Sequence, residues 1–157
     1  MEDQAIEYRV IEYGSPDYEQ TLELRDACLR RPWGTSIADD DLIGEEDDFI
    51  YGAFQGTRLV GMAILQDRGD RWNKLRYMAV DQDFRRLGIG SVIARAFETR
   101  SRAAGKAGIR LAARTHVVAF YETLGYKLDG QPFVPDHIPI PHIHMILRFD
   151  QGSGPHS

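Results

Sequence analysis

Between Phe49 and Val80 the apolar residues recur every second position, and no other feature constrains the fold as tightly. Three strand-like runs, Phe49–Gln55, Leu59–Gln66 and Lys74–Val80, are separated by Gly56-Thr57-Arg58 and by the polar stretch from Gln66 to Asn73. Connections this short bring successive strands back alongside one another, so an antiparallel meander is predicted. The period then changes. Across Ser91–Ala104, Val92, Ile93, Ala96 and Phe97 fall on one helical face, with Arg95, Glu98, Thr99 and Arg102 outside and Glu98 placed to pair with Arg102 one turn on. A central amphipathic helix is expected to cover one face of the sheet.

The flanking segments extend this pattern. Ala5–Tyr13 alternates as a first strand, and Gly14-Ser15-Pro16-Asp17 is a helix-start signal for a helix running to about Arg30. Pro32, Gly34 and the acidic run Asp39–Asp48 predict an irregular, exposed connection. After the central helix, which ends at Gly105–Gly108, come a strand at Ile109–Ala113 and a short helix at Val117–Leu124 closed by Gly125. Strands at Tyr126–Leu128 and Ile143–Phe149 complete the chain. The expected class is α/β, with a mixed, mostly antiparallel central sheet flanked by helices. Residues 1–150 form one domain, and the closing 151–157 segment, QGSGPHS, has no core-forming content and reads as a flexible tail.

Composition excludes several classes. With 157 residues, 43% of them hydrophobic, the chain can bury a core unaided, and no apolar run is long enough to cross a bilayer, so no membrane partner is expected. The acidic, polar start lacks the basic-then-apolar pattern of a secretory signal, which predicts a cytoplasmic protein. Cys28 is the single cysteine and reads as a small core residue. Residues 1–50 hold four arginines against fifteen acids, whereas the remainder holds fifteen Lys and Arg against nine acids. An anionic ligand should therefore prefer the back of the chain. Dispersed basic residues and a net charge of -5 argue against nucleic acid.

The stretch that carries chemistry is Met78-Ala-Val-Asp-Gln-Asp-Phe-Arg-Arg-Leu-Gly-Ile-Gly-Ser91, which joins an apolar strand to an amphipathic helix. A helix start offers unpaired amide N–H groups and the positive end of the helix dipole. Glycines permit close backbone approach, and Arg85 and Arg86 add charge suited to a diphosphate. A Walker loop would need Lys-Ser/Thr after its last glycine, and a dinucleotide fingerprint would need a small residue where Ile93 stands. What remains is Arg85-x-x-Gly88-x-Gly90.

This segment, with Ala119-Phe-Tyr-Glu-Thr-Leu-Gly-Tyr126 downstream, resembles the paired motifs of the GNAT N-acetyltransferase superfamily. Tyr13-Gly-Ser-Pro, Leu29-Arg-Arg-Pro-Trp-Gly34 and Ile140-Pro-His-Ile-His-Met145 look like a bacterial single-domain subgroup of it. The resemblance implies the acyl-CoA N-acyltransferase fold and acetyl-CoA as co-substrate. It implies direct transfer of the acetyl group to an amine of a small molecule or peptide. Met78, Ala79 and Val80 would face the acyl and pantetheine end of the cofactor, which enters between Lys74–Val80 and Ile109–Ala113. Arg85, Arg86, Leu87, Gly88, Ile89, Gly90 and Ser91 would wrap the pyrophosphate, and Tyr121 matches the tyrosine that protonates the departing thiolate. Where many relatives have an Asn, this chain has Thr115-His116; His116 either contacts the cofactor or caps the next helix.

His142 is the candidate general base or substrate contact, against a plain core or solvated histidine, and Tyr121 has a core reading of its own. His137, His142 and His144 lie close in sequence, yet too few ligands stand at defined spacing for a metal site. The acidic front half is expected on the acceptor side and would favour a cationic amine. A non-catalytic acyl-CoA-binding or sensing protein is the alternative reading, and a homodimer is left open.

Overall fold

The computed structural model describes residues 5–136 and 138–150. The 151–157 tail and His137 lie outside the described residues. Seven strands form one sheet: β1 (Ile6–Val10), β2 (Phe49–Gln55), β3 (Arg58–Asp67), β4 (Trp72–Val80), β5 (Gly108–Arg114), β6 (Lys127–Leu128) and β7 (His142–Arg148). Their spatial order is β1-β2-β3-β4-β5-β7-β6, and every neighbouring pair is antiparallel except β4 with β5. The helices are α1 (Pro16–Arg25), α2 (Ile89–Ala103) and α3 (Val118–Thr123). The predicted meander, central helix and closing strands are thus present with ends moved by a few residues.

Local chemistry explains the helix boundaries. Ser15 caps α1 by accepting from the Tyr18 N–H, and Pro16 occupies the first turn. Beyond Arg25 the helix widens into a π-turn at Asp26–Arg30, so the expected helix reaches Arg30 in altered form. The buried residues of α2 are Ile89, Ile93, Ala94, Phe97 and Ser101. Val92, expected inside, is 44% exposed, because the inward stripe starts at Ile89 and repeats every fourth residue.

Two cores lie on opposite faces of the sheet. On one, Ile11, Tyr18 and Leu24 pack against Ile50, Phe54, Met62 and Ile64. On the other, Ile93 and Phe97 of α2 pack with Val60, Leu75, Ile109 and Met145. A buried ion pair fastens α1 to the acidic connection: Arg25 forks onto Glu45 at 2.8 and 2.9 Å, and Tyr18 donates to Glu45 at 2.6 Å. The acidic run is therefore only partly the exposed connection expected of it.

The sheet parts in its middle. β4 and β5 pair only at Trp72–Gly108, Asn73–Ile109 and Lys74–Arg110, and both strands then continue without each other. In the same region β4 carries a bulge opposite Met62–Ile64, and Tyr77 takes the left-handed conformation with φ 59. A non-glycine residue there is strained and is held by its surroundings, in this case the Tyr77 hydroxyl donating to Asp40 at 2.6 Å. A bulge increases twist and turns the strand away from its neighbour, which opens the sheet on its C-terminal side.

Candidate active site

A cavity of about 380 Å³ occupies the opening between the parted strands. Met78, Val117 and Tyr121 line it from the side of α3, and Phe133, Pro135 and Ile138 cover it from the segment before β7. Phe133 is pinned over the cleft by two main-chain hydrogen bonds with His142, at 2.7 and 2.8 Å. Of the residues singled out from sequence, Met78, Tyr121 and His142 line this cavity. Ala79 is buried against the α1 core, and His116 is exposed with its ring 6.2 Å from that of Trp33.

The main chain of Val80 faces the opening. Asp81 donates its N–H to the Val60 carbonyl at 2.9 Å, and strand hydrogen bonds alternate in direction, so the polar groups of Val80 point away from β3. From that side the Val80 carbonyl accepts Arg85 Nε at 2.9 Å and Cys28 Sγ at 3.5 Å. Cys28 is half-buried and packs against the α1 core, as expected of a small apolar residue, while its thiol also donates to Val80; burial raises its pKa.

Arg85, Arg86, Leu87 and Gly88 form an exposed loop that enters α2. Gly88 is the N-cap with φ 77, a conformation suited to glycine, and no side chain caps the helix. The first intrahelical bond here is Val92 N–H to the Gly88 carbonyl, which leaves the amides of Ile89, Gly90 and Ser91 without helical acceptors. No acidic residue stands in that first turn. Ile89 itself is a core residue, 1% exposed. A Cβ at Gly90 would meet the Phe120 ring at 3.0 Å, a tight contact to which that half-buried ring would have to yield. Free amides, an open dipole end and adjacent arginines fit a diphosphate.

Tyr121 is held by ring contacts with Phe120 and Tyr126, centroids 4.9 and 5.6 Å away. Its hydroxyl makes no hydrogen bond to any described residue, and burial pushes its pKa up, only partly countered by Arg114. The phenol therefore keeps its proton through the neutral range. His142 Nδ1 donates to the Ile140 carbonyl at 3.0 Å, so in the neutral imidazole the hydrogen sits on Nδ1 and the lone pair on Nε2. Burial lowers its pKa most, the hydrogen bond to Ile140 partly offsets this, and Arg114, Arg30 and His116 lower it further.

Sequence reading missed Arg114 and the sign of the cavity. Arg30, Lys74, Arg76 and Arg114 line it, and Asp40 is the one carboxylate among the described lining residues. The lining of this cavity is therefore basic, not acidic. Glu45 is committed to Arg25, Asp40 to Arg30 at 2.6 and 2.9 Å, and Asp39 and Asp41 are exposed outside the lining. The signal was present as alternating cations, Lys74 and Arg76 on β4, Arg110 and Arg114 on β5, each pair on one face.

A mixed sheet parted between its central parallel strands, with an uncapped glycine-rich helix start beside the gap, defines the acyl-CoA N-acyltransferase class of fold. The family model for the acetyltransferase (GNAT) domain matches residues 17–149, and the chain belongs to that family of acetyl-CoA-dependent enzymes. It is 29% identical over 140 residues to a "putative acetyltransferase" of Bacillus subtilis (strain 168), covering 85% of this chain and 91% of the relative. Among solved structures, Escherichia coli ElaA is similar with a TM-score of 0.76 and 20% identity, covering 92% of this chain and 100% of that one. A GNAT family acetyltransferase from Elizabethkingia anophelis with acetyl-CoA bound has a TM-score of 0.68 at 14% identity, covering 91% and 97%. No helix among the described residues is long and apolar enough to cross a membrane.

Proposed function

We propose that the protein transfers an acetyl group directly from acetyl-CoA to the amine of a small molecule, with Tyr121 and His142 moving the protons. The observation that carries this reading is that one cavity holds both a protonated phenol and a neutral imidazole with a free Nε2 lone pair. Acetyl-CoA bound here would supply an activated thioester carbonyl. The N-terminal amides of α2, with Arg86 beside them, would hold its pyrophosphate, and Met78 and Val80 would flank its acyl end.

His142 Nε2 takes a proton from the incoming amine, which then attacks as the neutral nucleophile. The outward-facing Val80 N–H stabilises the negative charge that develops on the carbonyl oxygen. As the new C–N bond forms and the C–S bond breaks, Tyr121 delivers its proton to the leaving sulfur. Its pKa lies above that of the thiol, so the transfer depends on being concerted with bond breaking rather than on prior ionisation. The second proton on the new amide nitrogen returns to the phenolate, leaving the free thiol, the neutral amide and one proton on His142 for release to solvent. No covalent intermediate on the protein is required.

Thiol release over a panel of amines, beside calorimetry with acetyl-CoA, tests the reading. Binding with amine-dependent release supports it. Binding without release on any acceptor would favour a non-catalytic acyl-CoA sensor.

A further inference from the structure

We propose that the acceptor carries an anionic group, a carboxylate or phosphate, beside the amine that receives the acetyl group. This rests on the transfer reading above and names its substrate class.

The charges around the cavity do not balance. Four cations line it, Arg30, Lys74, Arg76 and Arg114, against Asp40. Both oxygens of Asp40 are engaged, by Arg30 Nε at 2.9 Å, Arg30 Nη2 at 2.6 Å and the Tyr77 hydroxyl at 2.6 Å. Arg30 and Asp40 cancel. Among the described residues none of Lys74, Arg76 and Arg114 has an ion-pair partner. Arg114 donates only to the Leu29 carbonyl, at 2.6 Å, and Arg76 lies over the Tyr77 ring at 4.9 Å. Strand alternation puts Lys74 and Arg76 on one face of β4, and Arg114 lines the same cavity from β5.

Cations gathered without an ion pair are costly: Arg76 and Arg114 are half-buried, and even Lys74, more open to solvent, has its pKa lowered by desolvation and then by Arg76 and Arg68. Arg114 is pushed down to about 10 and still stays charged at neutral pH. A ligand anion would supply the missing partner, and a guanidinium matches a carboxylate or phosphate in a fork geometry. Excess positive charge has a second effect, because it favours loss of the proton from the substrate ammonium and so aids attack. The volume, about 380 Å³, suits an amino-acid-sized molecule.

The test pairs each anionic amine with its neutral counterpart: L-amino acids against their carboxamides, and phosphoethanolamine against ethanolamine. With saturating acetyl-CoA, one charged member should exceed its neutral partner in kcat/KM by about tenfold or more, with the gap narrowing as salt rises. Whether the carboxylate or the phosphate pair shows it identifies the anion. Arg76→Gln and Lys74→Gln should raise KM for the charged member and leave the neutral one within about twofold. Equal turnover within both pairs, or equal loss on both members in the variants, overturns the proposal. If no amine is acetylated at all, the transfer reading fails first. Thermal upshift by N-acetyl amino acids against their amides then still reads the cavity, and equal or absent shifts reject the anion site.

Discussion

Arg114 and His142 stand directly opposite one another in the antiparallel register of β5 and β7. A fixed cation thus faces the imidazole, and with burial as the larger cause it holds the His142 pKa below the usual value. His142 stays neutral to lower pH than a free histidine, which suits a base.

Replacing Arg114 by Gln should raise the His142 pKa, without restoring it fully because burial persists. The acidic limb of kcat/KM should move to higher pH in the variant, and an NMR titration, with the resonance assigned through His142→Gln, reads the shift directly. An unchanged pKa would show that the two residues are electrostatically independent.

The same depression affects stability. Unfolded chains protonate histidine near pH 6.5, whereas folded His142 protonates lower, so between those values protons bind preferentially to the unfolded chain. Stability should decline as pH falls through that window, and His142→Gln should flatten the decline in denaturant titrations at stepped pH.

Tyr121→Phe removes the proton donor and preserves the ring contacts with Phe120 and Tyr126. We expect kcat to fall by roughly 10²-fold or more, with the dissociation constant for acetyl-CoA changed less than about twofold. Because burial raises the phenol pKa, the wild-type enzyme should show no loss of rate assignable to Tyr121 ionisation below about pH 10. Steady-state kinetics with calorimetry checks both.

Gly88 and Gly90 should fail differently. Gly88→Ala meets no neighbour but strains a left-handed N-cap, costing about 1 kcal/mol and a few degrees of Tm. Gly90→Ala presses on Phe120, and Phe120→Leu in the same chain should recover part of its loss. Melting curves of the three variants separate strain from crowding.

Breaking the buried Arg25–Glu45 pair from one side leaves a charge without its partner, at a cost of about 3–5 kcal/mol. Glu45→Ala should therefore melt well below wild type, whereas Arg25→Met with Glu45→Leu should recover much of the difference.

The elements were largely legible because periodicity and capping are local: the two-residue period from Phe49, Ser15-Pro16 at a helix start, and the glycines ahead of α2 each act within a few residues. Legibility stopped where tertiary placement decides. Tyr77 at the bulge is tied to Asp40, thirty-seven residues away, and the π-turn at Asp26–Arg30 has no sequence signature of its own. Membership in an acidic half of the chain did not predict the charge around the cleft, because ion pairs with Arg25 and Arg30 absorb Glu45 and Asp40. Arg114 escaped notice since a lone arginine ending a strand gives no hint of what it will face.

The three bridged positions that join β4 to β5 act as a mechanical joint. On one side lies a four-stranded leaf, β1 to β4, and on the other a three-stranded leaf of β5, β7 and β6. Beyond the joint no ladder hydrogen bond spans them, so small rotations can widen or narrow the mouth without rupturing the backbone network. Whatever fills that mouth bridges the leaves, and its arrival should stiffen the molecule as a whole.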